Sequence, residues 1–188
     1  MQRFFLLLTA LFTYCGVWAQ TPVYFYGVDF SQVKVYGANE PVSSFKNAFE
    51  SINYLLISEQ KKYDFEKVLG VPYQIDLSMV FTKLHESSFE QMKVMSWEMP
   101  PFDSAQYIRQ CQFPNNQGVG LLLVARLLDK ANAGATYELL LCDLATHEII
   151  YQKEVYGVAS GFGLRNYWAN TISRVIKYNP LKLLKKKK

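Results

Sequence analysis

The run GVGLLLVARLL (residues 118–128) is almost continuously apolar and decides the fold. Turn-forming and charged residues bound it on both sides, which suits a strand buried on both faces better than an amphipathic helix. The runs TYELLLCDL (136–144) and EIIYQKEV (148–155) follow, and a short polar link between them favours a tight antiparallel turn. The stretch 118–156 therefore predicts a meander of three consecutive strands.

Two amphipathic helices are predicted to pack on this sheet. The first has an apolar stripe at helical spacing, formed by Phe45, Phe49, Ile52 and Leu56. Polar residues, among them Asn53, lie between these positions. The second helix spans residues 164–178 and ends before Pro180.

The segments 23–30 and 32–36 are rich in strand-forming residues and precede the first helix. Together these elements predict an α/β (α+β) fold with a mixed, largely antiparallel sheet. It would have a C-terminal three-strand meander, helices packed on the sheet and a final amphipathic helix.

The N-terminus has the pattern of a secretory signal. Arg3 gives a positive start, residues 4–12 form an apolar centre, and small residues follow before the cleavage point. We expect cleavage after Ala19 or Gln20 and a periplasmic or secreted location.

A lipid anchor and a membrane-spanning segment are both disfavoured. Cys15 is preceded by Tyr14 where a lipid-attachment site needs a small residue, and no later apolar run is long enough to span. The expected organisation is a signal over residues 1–19, a single domain over residues 22–179, and a loose basic tail over residues 180–188.

The net positive charge belongs to that tail rather than to the folded body. Arg3 lies in the signal, and five lysines lie at the end of the chain, at 182 and 185–188. Without these six, fourteen basic side chains remain against sixteen acidic ones. A nucleic-acid-binding face is therefore not expected, whereas the tail could meet anionic envelope polymers or lipid head groups.

Two cysteines and two histidines remain after the signal: Cys111, Cys142, His85 and His147. They show no metal-ligand spacing, so neither a zinc site nor any other cofactor is expected. Export would permit a Cys111–Cys142 disulfide, but spacing alone cannot show that the two meet. The place of Cys142 within a strand favours free thiols.

The glycine-rich turn before the last helix is one candidate binding surface. Gly161 and Gly163 could present backbone N–H groups to an anion, with Arg165 and Asn166 beside them. The spacing matches neither a phosphate loop nor a dinucleotide fingerprint. The alternative is that the glycines only let the chain reverse so that Phe162 and Trp168 dock.

Trp97 and Phe102 flank two prolines in a segment that cannot be a regular helix. Exposed aromatic residues are typical of interface hot spots, which predicts a docking surface here. The alternative is a loop pinned to the core by both rings.

No catalytic residue is predicted. His147 lies in a turn beside Glu148, and three aspartates, Asp29, Asp76 and Asp143, are candidates for a carboxylate pair. The sequence does not show that any two of them converge.

The segments VYFYGVDF (23–30) and LCDLATHEIIY (141–151) resemble a bacterial envelope fold, that of the TolB amino-terminal domain, LpoB and the curli lipoprotein CsgG. In that group the first strand ends near Asp-Phe and a D-x-x-T-x-E-I hairpin joins the last two strands. The run GFGLRNYW (161–168) is also similar to uncharacterised exported proteins of Bacteroides-type bacteria. The resemblance implies partner binding in the envelope and brings no catalytic residues.

Three functions follow as hypotheses. The first is a non-catalytic exported binding or accessory module that engages an envelope protein or polymer. The second is a small periplasmic hydrolase that uses carboxylates or His147. The third is a structural envelope component that oligomerises through an edge strand near Gln152. The identity of the partner and the oligomeric state stay open.

Overall fold

The computed structural model describes residues 21–185, so the predicted signal and Cys15 lie outside the described residues. Seven strands form one sheet: β1 (Val23–Asp29), β2 (Lys34–Tyr36), β3 (Gln74–Ile75), β4 (Lys93–Val94), β5 (Val119–Asp129), β6 (Gly134–Asp143) and β7 (Ile149–Val158). Five helices accompany it: α1 (Val42–Ser58), α2 (Glu66–Leu69), α3 (Ser78–Glu86), α4 (Ser104–Gln110) and α5 (Leu164–Tyr178).

Strand β5 is the central strand of the sheet. On one side, β1 pairs with its first half and β2 with its second half, both in parallel. On the other side, β6 pairs with it in an antiparallel manner along its whole length. The short strand β3 pairs with β1, and the short strand β4 pairs with β2. Strand β7 pairs with β6 at the opposite edge of the sheet.

The prediction of a largely antiparallel sheet is wrong, because four of the six strand pairings are parallel. Antiparallel pairing is confined to the meander of β5, β6 and β7. Helices lie between the two partners of each parallel pair in sequence, so the chain returns to the sheet by crossovers, and crossovers produce parallel neighbours. A strand buried on both faces has the same apolar composition whichever way its neighbours run, so the pattern gave no direction.

Each face of the sheet has its own helical layer. The stripe predicted on α1 is fully buried and shares one core with Trp168 of α5 and with Leu121 and Leu123 of β5. The opposite face places Leu122 and Val124 of β5 against α3 and α4. Every residue of β5 is buried, which confirms its prediction as a two-sided core strand.

Helix α5 begins and ends at the predicted residues and lies close to β7. A Cβ added to Gly157 of β7 would come within 2.1 Å of the carbonyl oxygen of Thr171. A side chain at Gly157 would therefore push the helix off the sheet. Trp168 is completely buried beneath the helix.

The C-terminal segment 181–185 lies against α2. Two main-chain hydrogen bonds join the N–H groups of Leu183 and Leu184 to the carbonyls of Val68 and Leu69, at 3.0 and 2.8 Å. The tail is predicted to be loose, but its residues 181–185 are held against α2 by these bonds. Its last three lysines lie outside the described range.

Candidate functional site

The loop 95–103 connects β4 to α4, and a buried arginine holds its base. Arg126 of β5 donates from Nη2 to the carbonyl oxygen of Pro100 at 2.6 Å. Its guanidinium carbon lies 4.3 Å from the centre of the Phe102 ring. That ring packs against Tyr107 of α4, with 5.3 Å between ring centres. The loop is therefore anchored to both the sheet and a helix.

A β-bulge explains how an arginine can occupy the central strand. Ala125 pairs with Tyr137 and Leu127 pairs with Thr136, so Arg126 is an extra residue between them. A bulge redirects the side chain of its extra residue. Burial lowers the pKa of Arg126, yet an arginine stays charged in proteins and therefore needs partners.

Polar side chains continue from this point across β6 and β7. Gln152 donates from Nε2 to the Glu138 carboxylate at 3.2 Å, and the Ser104 hydroxyl donates to the Gln152 side-chain oxygen at 2.5 Å. Burial raises the pKa of Glu138, while the hydrogen bond from Gln152 and the charge of Arg126 act in the opposite direction. These contacts fix the start of α4 on the sheet.

The loop presents two large apolar side chains to solvent. Met95 is 98 % exposed and Trp97 is 64 % exposed. Phe102 is half-buried against Arg126, so the two predicted aromatic residues have different positions. Phe102 anchors the loop, and Trp97 does not pin it to the core.

A groove of about 470 Å³ lies beside the loop, between the break that separates β1 from β2 and the turn before β4. Polar and apolar groups contribute almost equally to its lining, which includes Ser31, Gln32, Lys34, Glu90, Gln91 and Pro100. Lys34 donates from Nζ to the carbonyl oxygen of Gln91 at 3.0 Å, which joins its two walls. Pro100 belongs both to this groove and to the anchored loop.

The glycine-rich turn forms a separate surface. Gly161 and Gly163 both have positive φ, at 111° and 79°, so both serve the chain reversal before α5. Arg165 and Asn166 are exposed and bond to each other, from Nε to Oδ1 at 3.1 Å. Phe162 is 96 % exposed and does not dock, whereas Trp168 is completely buried, so the alternative interpretation of this turn holds for Trp168 alone.

The structure also contains a buried polar cluster at the end of β1. Asp29 is completely buried and accepts hydrogen bonds from the backbone N–H of Ser31 at 2.7 Å, from Lys83 Nζ at 3.0 Å and from the Tyr107 hydroxyl. Lys83 also lies 3.6 Å from the sulfur of Cys111. Asp29 was a candidate from sequence, but its partners were not.

The chemistry of this cluster is that of a structural site. Burial, followed by the charge of Asp29, raises the pKa of Tyr107 well above its ordinary value. Burial also raises the pKa of the Cys111 thiol. Both groups therefore keep their protons near neutral pH, so neither is an activated nucleophile or base.

The predicted carboxylate candidates do not form a pair. Asp76 accepts hydrogen bonds from Ser78 and lies 3.4 Å from the side-chain nitrogen of Asn115. Asp143 accepts from the backbone N–H groups of its own turn, and these bonds lower its pKa. Asp76 and Asp143 thus each have their own local hydrogen-bond partners, and neither of them is paired with Asp29.

His147 has the positive φ of a turn residue, and its ring packs edge-on against Phe113 at 5.5 Å. No hydrogen bond or ion pair joins its side chain to a carboxylate within residues 21–185. His85 is an exposed residue of α3, 4.0 Å from a carboxylate oxygen of Glu50.

The two cysteines are free and buried. Cys111 donates to the carbonyl of Tyr107 at 3.3 Å, and Cys142 lies 3.7 Å from the carbonyl of Gly120. Burial raises the pKa of Cys142 to about 12. Among the described residues, no group of three or more histidines, cysteines and acids is arranged to hold a metal ion.

Comparisons with family models, with curated proteins and with solved structures give no match to this chain. The resemblance to the TolB, LpoB and CsgG fold and to exported Bacteroides-type proteins therefore stays a prediction. Over residues 21–185, none of the helices has the length and apolar character needed to cross a membrane.

Proposed function

We propose that this chain is an exported, non-catalytic binding module that engages an envelope protein or polymer through loop 95–103 and the adjoining groove. The observation that carries the proposal is Trp97, an exposed aromatic side chain on a loop whose base is fixed by Arg126. The exported location comes from the predicted N-terminal signal.

An anchored loop suits recognition for an energetic reason. Side chains that are exposed but carried on a fixed backbone lose less conformational freedom on binding than side chains on a mobile segment. Tryptophan is over-represented among the residues that dominate binding energy. Met95, nearly fully exposed beside it, adds an adaptable apolar contact.

The buried ionisable groups support binding rather than bond chemistry. The buried Asp29 is neutralised by the partly exposed Lys83, and Tyr107 retains its proton. An enzyme site requires groups that exchange protons or attack near neutral pH, in reach of substrate. The exposed loop and groove need only complementary shape and polarity.

The test is capture from a bacterial envelope extract by immobilised protein, followed by quantitative mass spectrometry. Trp97→Ala should lower the amount of the captured partner about tenfold or more, the effect of removing a hot-spot side chain. Tyr54→Ser is the matched control, because Tyr54 is an aromatic residue of α1 that is 53 % exposed. It should capture as much partner as the natural chain.

Equal capture by the natural chain and the Trp97→Ala variant would contradict the proposal. So would an equal loss with Tyr54→Ser, since that result would indicate non-specific apolar adhesion. Thermal unfolding of Trp97→Ala should match that of the natural chain, because its side chain is largely exposed. Tyr54→Ser should lose a little stability, because the Tyr54 ring packs against Phe81 with 4.9 Å between ring centres.

A further inference from the structure

We propose that the partner of loop 95–103 and its groove is a neutral polysaccharide of the bacterial envelope. The inference rests on the proposed function and names the chemical class of its partner. It is carried by the uncommitted polar groups of the groove, by the balance of charge in its lining and by the position of Trp97 beside it.

The groove offers neutral hydrogen-bonding groups that are free to meet a ligand. Its lining includes the hydroxyls of Ser31 and Ser88 and the side-chain amides of Gln32 and Gln91. Within residues 21–185, these four side chains form no hydrogen bond, since Ser31 and Gln91 use only backbone groups. A hydroxyl or an amide can both donate and accept. Such a lining suits a ligand that presents many hydroxyl groups, which is the chemistry of a sugar chain.

The charges in the lining of the groove are balanced. Among the described residues that form it, Lys34 and Glu90 alone carry charge. The Lys34 ammonium is already occupied, because it donates to the carbonyl oxygen of Gln91 at 3.0 Å. Complementary charge is what selects a charged partner. A groove without an excess of either sign favours a neutral polymer over a polyanion.

Trp97 lies within reach of any ligand that fills the groove. Pro100 lines the groove, and the bond of 2.6 Å from Arg126 fixes its carbonyl. Trp97 precedes Pro100 by three residues, and three residues of extended chain span at most about 11 Å. The face of an aromatic ring is negative, so it attracts the weakly positive C–H groups on the flat side of a sugar ring. The exposed indole can therefore stack on one sugar while the groove holds the next.

A sugar chain matches the mixed lining better than a protein surface does. The buried centre of a protein interface is largely apolar, whereas polar and apolar groups contribute almost equally to this groove. A polar group that is covered without a partner costs binding free energy. Sugar hydroxyls can pair with the free hydroxyls and amides, and the C–H faces of the same rings cover the apolar groups between them.

The experiment measures the sugar that immobilised chain 21–188 retains from a bacterial envelope extract, released from the beads by acid hydrolysis. Washes at about 500 mM salt remove material held by charge alone. The natural chain should retain at least about tenfold more sugar than Trp97→Ala. Digestion of the extract with proteinase K should leave this retention unchanged, and periodate, which cleaves sugars between neighbouring hydroxyl groups, should abolish it.

A double variant tests the groove itself. Gln32→Ala/Gln91→Ala removes two exposed amides and should lower sugar retention about tenfold, because two hydrogen bonds are lost together. The matched control is Gln60→Ala/Gln112→Ala, which removes two exposed amides that line other grooves. The control should stay within about twofold of the natural chain.

The inference is overturned if proteinase K abolishes capture and periodate does not, because the partner would then be a protein and the proposed function would still hold. It is also overturned if the salt wash removes the sugar, since the ligand would then be a polyanion. An equal loss in the control variant would likewise exclude the groove. If neither Trp97→Ala nor the groove variant alters retention, the proposed function fails together with the inference.

Discussion

The side chain of Asn53 on α1 forms two hydrogen bonds of 2.9 Å with the backbone of Val28 on β1, accepting from its N–H and donating to its carbonyl. Strand β3 pairs only with Tyr24 and Phe25, so it ends before it could serve Val28. The amide of Asn53 thus replaces a neighbouring strand at this point, inside the core.

Replacing Asn53 by leucine should lower the free energy of unfolding by about 3 kcal/mol, because two buried backbone groups lose their partners. Urea denaturation measures the change. Asn47→Leu, an exposed position on the same helix, should change it by less than about 0.5 kcal/mol. Similar values for the two variants would show that the Val28 contacts contribute nothing.

Lys83→Met should destabilise the fold by about 2 to 3 kcal/mol, since it leaves the carboxylate of Asp29 buried without its cation. The comparison is Lys67→Met, which breaks the exposed pair with Asp64 and should cost less than about 0.5 kcal/mol. Chemical denaturation of both variants at pH 7 checks this. If the two variants lose the same free energy of unfolding, the burial of Asp29 does not strengthen its ion pair with Lys83.

Arg126→Gln should release loop 95–103 from the sheet, because the bond to Pro100 and the contact with Phe102 are both weakened. Amide hydrogen exchange in the loop should become at least about fivefold faster, and stability should fall by about 1 to 2 kcal/mol. Arg109→Gln, on the exposed side of α4, should leave both unchanged. Unaltered exchange in the Arg126 variant would mean that the loop is held by something else.

Glu138 predicts a pH dependence. Burial raises its folded-state pKa, so its contribution to stability is present below the ordinary pKa and is lost as the pH rises through the raised value. Glu138→Gln cannot ionise, and its stability relative to the natural chain should therefore increase from pH 4 to pH 7. Denaturation at several pH values measures this difference.

Gln152→Leu provides the converse test of the same carboxyl. It removes the hydrogen bond that opposes the rise in the pKa of Glu138. The contribution of Glu138 to the free energy of unfolding should then decline more steeply with increasing pH than it does in the natural chain. The stability of the Glu138→Gln variant relative to the natural chain is expected to rise with pH. If it stays constant or falls instead, the raised pKa of Glu138 is contradicted.

The elements with a clear period were predictable from sequence, and the relations between distant segments were not. The apolar stripe of α1, the span of α5 and the three strands of the meander follow from spacing alone. Strand direction depends on crossovers, which leave no trace in a strand that is buried on both faces.

Single polar residues were the main source of error at the site. Asn53 falls between apolar positions and suggests a solvated face, yet it is buried because it serves a strand 25 residues earlier. The partners of Asp29 lie 54 and 78 residues away in sequence. Arg126 did leave a signal, since a lone charge inside an apolar strand must find partners in the fold.

The position of β5 has a consequence for the order in which the fold can assemble. Strands β1 and β2 both depend on β5, which begins only at Val119, far along the chain. During synthesis, the first hundred or so residues therefore emerge without the strand that would complete their hydrogen bonds. A nascent chain of this kind stays unfolded for longer than one built from local hairpins, because its strands wait for a partner that is distant in sequence.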